Sequence, residues 1–387
     1  MSVSPSQEMD DDGNKGGKAF NSIIQLSKPF LSKDEVEYCQ RQSNILSDDK
    51  NLLIYQSKKI DIILFLRKLI KILKFPSNIL QLTFYYFQKF FLFNDFNKYK
   101  NYLYEISITS LYLSAKLEDY IKKLRDVINL GNEILKTSTL NEQKILTIER
   151  KFLETISFDF RFYHSEDYLI KFWKKLNFEI ENGNFEIEIE NNNDNISYTS
   201  WLINNDSYLT NLHLRYSGNY ISLSCIKLAI LIKKEILLTE LNHKNEKGEL
   251  IYQTDEERAP LEDKINYIED LLTTKINKSL DFKCNFEIFI NQSIEELLQF
   301  YLDNYNYSYL ISKYSKIEIM DILINLKIQI TREINKSKKL KSSNYKFEND
   351  KFFNADGRTY NKDDTIRFVY QKKDFADEII KIDEEKN

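Results

Sequence analysis

Apolar positions recur at helical spacing through most of the chain. Across residues 58–75, Ile62, Ile63, Leu66, Leu69, Ile70 and Leu73 fall on one side of an amphipathic helix, with Arg67, Lys71 and Lys74 on the other. Pro76 should close it, because the residue before a proline is pushed out of helical conformation. Residues 78–93 are apolar on nearly every side, which predicts a helix enclosed by its neighbours. Residues 102–119 are also apolar, but Ser107, Ser110 and Ser114 keep one stripe small, so other helices can approach closely and a central position is expected. Residues 124–135 form a shorter helix. In residues 141–156, Ile145, Ile148, Phe152, Leu153 and Ile156 share a face. These five helices make one compact domain. Ahead of them, Ser32-Lys33-Asp34-Glu35 has the S-x-x-E form in which serine and glutamate reciprocally satisfy free backbone donors at a helix start.

The pattern then weakens and resumes. Residues 167–176 read as helix. Residues 179–195 alternate Glu with Ile or Phe before Asn191-Asn192-Asn193-Asp194, and read as an insertion loop. Residues 198–209 and 220–238 predict two more helices, the second with Ser222, Ser224 and Ala229 as small packing residues. Residues 242–260 are polar and read as a loop; 261–276, 294–301 and 316–335 resume helical periodicity. The expected fold class is therefore all-α. The chain divides into an acidic disordered tail (1–19), an extension with a short helix (20–57), a first domain (58–164), a divergent second domain (165–335) with insertions near 179–197 and 242–260, and a polar tail (336–387).

Composition agrees. Only 8 Gly and 4 Pro occur among 387 residues, which leaves little of the turn chemistry an all-β fold needs. The net charge of -4, with both signs interspersed, argues against a surface built to neutralise nucleic-acid phosphates. Cys39, Cys225 and Cys284 are far apart in sequence and read as reduced intracellular thiols. His164, His213 and His243 are equally scattered, so no metal site, cofactor or nucleophilic triad is expected. The first residues have no apolar run of signal-peptide type, and no stretch reaches about 18 uninterrupted apolar residues, so no membrane span is expected.

One carboxylate is out of place. On a helical wheel Glu149 falls between Ile156 and Leu153, inside the apolar stripe of its helix. A buried charge needs a partner. Lys116, on the least apolar stripe of the 102–119 helix, is a candidate. Periodicity alone leaves open an intramolecular ion pair, a glutamate that curls out to solvent, or a contact with another protein.

Ser110-Leu111-Tyr112-Leu113-Ser114-Ala115-Lys116-Leu117-Glu118-Asp119 resembles the third helix of the cyclin box, an aliphatic, small-residue run that ends in Ala-Lys and an acidic pair. Ile145 to Arg150, followed by Leu153 to Phe160, resembles the fifth helix and its Phe-Asp exit. In that family the matching lysine and glutamate lie together and grip backbone groups of a kinase. The run from Tyr85 to Phe96 resembles the second helix of transcription-type cyclins, although cell-cycle cyclins usually carry Asp where this chain has Gln88. The arginine usual in the first helix is also replaced, with Lys58 or Lys59 nearby. Ser27 to Ser32, Lys74-Phe75-Pro76, Leu92-Phe93-Asn94 and Ser157 to Arg161 are similar to the cyclin subunits of fungal RNA polymerase II carboxy-terminal-domain kinase complexes.

The resemblance implies tandem cyclin-box domains, each a five-helix bundle. It implies a regulatory, non-catalytic subunit that activates a cyclin-dependent kinase in the nucleus, with a third, smaller regulatory subunit and the polymerase tail as the kinase's substrate. The implied kinase contacts are Lys116, Glu149, Leu113, Leu117, Leu153, Phe158 and Phe160, with Glu118 near the rim. Alternatives are another transcription-type cyclin, of the elongation-factor, Mediator or general-factor kind, and a non-cyclin helical scaffold. Direct nucleic-acid or membrane binding is not implied.

Overall fold

The computed structural model describes residues 30–137, 140–156, 158–181, 196–242 and 286–338, isolated positions between 259 and 266, and the short stretches 358–360 and 366–368. Its first helix, α1 (Lys33–Gln42), opens with the capping box read from sequence: Ser32 Oγ accepts from the Glu35 amide at 3.2 Å, and the Ser32 amide donates to Glu35 Oε2 at 2.7 Å. Helix α2 (Asp49–Leu73) starts well before the expected position, capped by the Asp48 side chain. It ends differently too. Lys74 adopts φ 57°, and the Phe75 amide returns to the Ile70 carbonyl, so a left-handed cap stops the helix and Pro76 serves as the N-cap of α3 (Ser77–Phe93).

Helix α3 is enclosed on nearly all sides. A short α4 (Phe96–Tyr99) leads to α5 (Leu103–Leu117), which packs against α2, α3, α6 (Leu124–Leu135) and α7 (Glu142–Thr155). That central position follows from its serines: Ser107, Ser110 and Ser114 are fully buried, and Ser110 Oγ donates to the Thr83 carbonyl of α3 at 2.7 Å. Gly131 does the same for α6, since a Cβ there would lie 2.9 Å from Leu140 and 3.0 Å from Ile108. Asn141 caps α7 through its side chain.

A second set follows: α8 (Ser165–Glu181), α9 (Ile196–Ser207), the short α10 (Leu212–Arg215), α11 (Gly218–Leu241), α12 (Phe286–Asn304) and α13 (Lys316–Lys338). Two 3-10 turns, Tyr305–Tyr307 and Leu310–Ser312, join the last two long helices. Helix α11 is the core of this set, touching α8, α9, α12 and α13. Of the insertions expected near 179–197 and 242–260, residues 179–181 and 196–197 are helical ends of α8 and α9, while 182–195 and 243–258 lie outside the described residues, as does most of the helix expected at 261–276. So does the acidic tail at 1–19.

Residues Lys28–Phe347 form one unit. Inside it the two sets meet through polar groups of α2 and α3. Arg67, which periodicity placed on the wet face of α2, instead reaches the second set. Its Nη1 donates to the Tyr307 carbonyl at 2.6 Å, its guanidinium lies 4.1 Å over the Tyr309 ring, and Nη2 is 4.0 Å from Oδ1 of fully buried Asp206. Asp206 also accepts from Tyr301 Oη and the Tyr309 amide. Desolvation pushes its carboxyl up to about 7 against the partial opposition of those donors and Arg67. Gln88 donates to the Tyr208 carbonyl at 2.7 Å, and Gln81 to Glu166 and Asn205.

The other unit, Met1–Ser27 with Glu348–Asn387, contains a two-stranded antiparallel ribbon, β1 (Arg358–Tyr360) with β2 (Ile366–Phe368), Thr359 facing Arg367. No element was expected there, because strands of three residues are too short for a period to show.

Candidate functional site

The misplaced carboxylate finds its partner across the α5–α7 contact. Lys116 Nζ lies 2.7 Å from Glu149 Oε1, and the same ammonium sits 4.1 Å over the Tyr112 ring. The lysine side chain is 39% exposed and the glutamate 14%. The pair is therefore neither sealed in the core nor fully hydrated: Glu149 is walled by its helix, while the lysine opens to the surface.

Both helices that carry the pair end in left-handed caps. After α5, Asp119 takes φ 59° and the Tyr120 amide bonds the Ala115 carbonyl. After α7, Phe158 takes φ 55° and its amide bonds the Leu153 carbonyl. A bulky aromatic in that region of backbone space is an outlier, since glycine or asparagine normally fills it. Phe158 is nonetheless 62% exposed and contributes little to the core. Phe160 stands beside it, 40% exposed, with ring centroids 6.4 Å apart at 89°. Asp159 between them is held by Arg161, whose Nε and Nη2 each donate at 2.8 Å.

The structure treats the remaining sequence-chosen residues unequally. Leu117 and Leu153 are half-buried. Leu113 is 4% exposed and belongs to the interior, so it supports the surface from below and is not part of it; helical spacing gave it the same side of α5 as Leu117 but not its depth. Glu118 is not a free rim charge. Its Oε2 accepts from Asn78 Nδ2 at 2.6 Å and its Oε1 lies 3.1 Å from His164 Nε2.

Tyr120, Ile121 and Tyr163 are large, exposed and beside these chain ends, and none was singled out from sequence. They lie in connections, where no periodicity marks them; their only signal was apolar character next to a helix stop. Neither Lys58 nor Lys59 reproduces a buried first-helix arginine opposite Gln88. Lys58 pairs with Asp61 at 3.1 Å, whereas burial pushes the Lys59 amine down to about 8 against the opposing charge of Glu296. Among the described residues no cluster of His, Cys, Asp and Glu could hold a metal ion, Cys39 and Cys225 are free thiols, and no helix is long and apolar enough to cross a membrane.

Residues 28–161 match the family described as "Cyclin, N-terminal domain". The chain is 32% identical over 170 residues to the CTD kinase subunit beta of Saccharomyces cerevisiae, covering 41% of this chain and 50% of that one. It is 28% identical over 225 residues to the CTD kinase subunit beta of Schizosaccharomyces pombe, covering 53% and 58%. Human Cyclin-K is 25% identical over 150 residues, 37% of this chain and 24% of that one. The chain thus spans about half the length of the first two relatives in these alignments. Among solved structures, a chain of the yeast RNA Pol II CTD kinase CTDK-1 complex superposes with a TM-score of 0.56 at 23% identity, over 91% of this chain and 98% of that one, so the two share a fold through both helical sets. The Lys116–Glu149 pair thus lies within the segment, residues 28–161, that matches the cyclin N-terminal domain.

Proposed function

We propose that this chain is the regulatory subunit of a nuclear cyclin-dependent kinase that phosphorylates the carboxy-terminal domain of RNA polymerase II and so regulates transcription elongation. The observation that carries the reading is the Lys116–Glu149 pair, open to the surface beside the strained and exposed Phe158 on a cyclin N-terminal domain. Similarity to two fungal CTD kinase beta subunits supports the choice of kinase.

In this reading the chain supplies no catalytic atom. The half-exposed ammonium donates to backbone carbonyls of the kinase and Glu149 accepts from its amides, while Phe158, Phe160, Leu117 and Leu153 cover apolar groups around the kinase's mobile regulatory helix. Holding that helix inward sets the kinase's own Lys-Glu pair and Mg2+-binding Asp for phosphoryl transfer. Reversing a 1:99 preference for the inactive form takes about 5.5 kcal/mol of differential binding, which an interface on the order of 2,000 Å2 can supply. In this reading the first cyclin box occupies residues 58–164 and the second residues 165–335. The insertions and the second domain serve a third, smaller regulatory subunit in this reading, so deleting residues 179–195 is expected to spare kinase binding while weakening the trimer. Neither nucleic acid nor membrane is a direct partner.

The test is reconstitution. The purified chain is combined separately with catalytic subunits of polymerase-tail, elongation-factor, Mediator and general-factor kinases, and phosphate incorporation into a heptad-repeat peptide is measured. Strong stimulation of the polymerase-tail kinase alone is expected. Stimulation of one of the others in its place would reassign the partner, and stimulation of none would overturn the reading.

A further inference from the structure

Glu118 belongs to the acidic pair that follows Lys116, and the obvious role for it is a direct charge contact with the partner. Its surroundings argue otherwise. Both carboxylate oxygens are occupied from within the chain, by Asn78 at the start of α3 and by His164 just before α8. A carboxylate only accepts, so His164 Nε2 carries the hydrogen and donates it. His164 Nδ1 and Asn78 Oδ1 are both buried without partners, so neither side chain has an alternative bond that would hold it in place.

The bond from His164 matters because of what precedes it. Residues 158–164 leave α7 and run past α3 to α8 without secondary structure of their own. Phe162 turns inward, its ring 4.6 Å from Tyr85 and 5.0 Å from the His164 ring. Phe158, Phe160 and Tyr163 turn outward, Tyr163 to 70% exposure. At the far end, the backbone at 163–165 is seated against Gly218, where a Cβ would lie 3.1 Å from the Tyr163 carbonyl. Between the cap of α7 and that seat, the Glu118–His164 bond is a polar anchor of the segment to the first helical set.

We propose that Glu118 is a positioning residue: with Asn78 and His164 it clamps segment 158–164 so that Phe158, Phe160 and Tyr163 are presented to the kinase in a fixed arrangement, and it does not itself touch the kinase. This rests on the kinase-binding reading above. The clamp and a direct contact differ in what glutamine can do. In Glu118→Gln the amide oxygen still accepts from His164, and the amide nitrogen donates to Asn78 once that side chain turns its oxygen inward, so the clamp survives while the charge is lost.

The experiment measures amide hydrogen exchange of residues 158–164 in the full chain alone, and the association rate with the purified kinase catalytic subunit, for Glu118→Ala, Glu118→Gln, His164→Ala and the Glu118→Ala/His164→Ala pair. Expected are exchange about tenfold faster and association about tenfold slower for Glu118→Ala, a similar change for His164→Ala, no further change in the double variant, and near-normal values for Glu118→Gln. Unchanged exchange in Glu118→Ala would overturn the clamp, as would a Glu118→Gln variant that associates as slowly as Glu118→Ala. Phe158→Ala is the control for the underlying reading: if it and Glu118→Ala both bind normally while Glu118→Ala exchanges faster, the segment is clamped but is not the kinase surface, and the proposal fails at that step.

Discussion

Leu113 and Phe158 stand at opposite extremes of exposure, and substitutions at the two separate folding from binding. Leu113 lies in the interior among α5 and its neighbours, so Leu113→Ala leaves a cavity and should lower unfolding free energy by about 2–5 kcal/mol while leaving the affinity of the folded fraction for a kinase nearly unchanged. Phe158 has the reverse character. Its φ of 55° costs an L-residue about 1–2 kcal/mol, and its exposed ring returns little of that within the chain. Phe158→Gly should therefore raise the unfolding midpoint, by roughly 1 kcal/mol in free energy, and weaken kinase binding at least tenfold. Denaturant titration and a binding isotherm on the same preparations read both quantities. A Phe158→Gly chain that is destabilised and binds normally would show the phenylalanine to be a folding residue.

At the level of elements, α5 depends on small side chains as much as on apolar ones. Ser110 is fully buried and bonded to the α3 backbone at Thr83, so Ser110→Leu both overfills the α3–α5 contact and removes a hydrogen bond; a loss of about 3 kcal/mol, read by thermal or denaturant unfolding, is the expected result. The helices that pack this way were legible from sequence because their periodicity is strong: α3, α5, α6 and α7 begin and end within two residues of the expected positions. The start of α2 was missed because residues 49–57 are mostly polar and hide the continuing helix; the capping Asp48 was the available signal. The four-residue α4 and α10 and the 3-10 turns are too short to show a period at all. The Lys116–Glu149 pair could be read because a carboxylate inside an apolar stripe is conspicuous. His164, Asn78 and Arg67 could not be, since their partners lie 46, 40 and 240 residues away respectively.

At the scale of the whole molecule, the joint between the helical sets responds to pH. Asp206 has a carboxyl raised from 3.8 to about 7 by burial, so the folded chain holds its proton more tightly than the unfolded one. The charged or titratable groups facing it are Arg67 from α2, Tyr301 from α12, Tyr305 and Tyr309 from the turns, and Cys225 from α11. With the folded value above the unfolded one, this group's contribution is complete below about pH 3.8 and is lost as the pH rises through about 7. Asp206→Asn can keep the bonds from Tyr301 and the Tyr309 amide without the ionisation. It should remove a fall in stability on the order of a few kcal/mol between pH 4 and 7.5, seen as a flatter plot of unfolding free energy against pH. An unchanged slope would mean that Asp206 titrates as an ordinary carboxylate and that the joint draws its stability from elsewhere.

The claim on which all of this turns is that Lys116 and Glu149 are set to grip a kinase and not to hold the chain together. A lysine 39% exposed makes the pair worth at most about 1 kcal/mol to folding. Isothermal titration of the purified kinase catalytic subunit into the wild-type chain, Lys116→Ala and Glu149→Ala, with unfolding midpoints measured alongside, tests that division most directly. Dissociation constants at least a hundredfold higher in both variants, with midpoints close to wild type, are the predicted result. Well-folded variants that bind the kinase as tightly as wild type would contradict it.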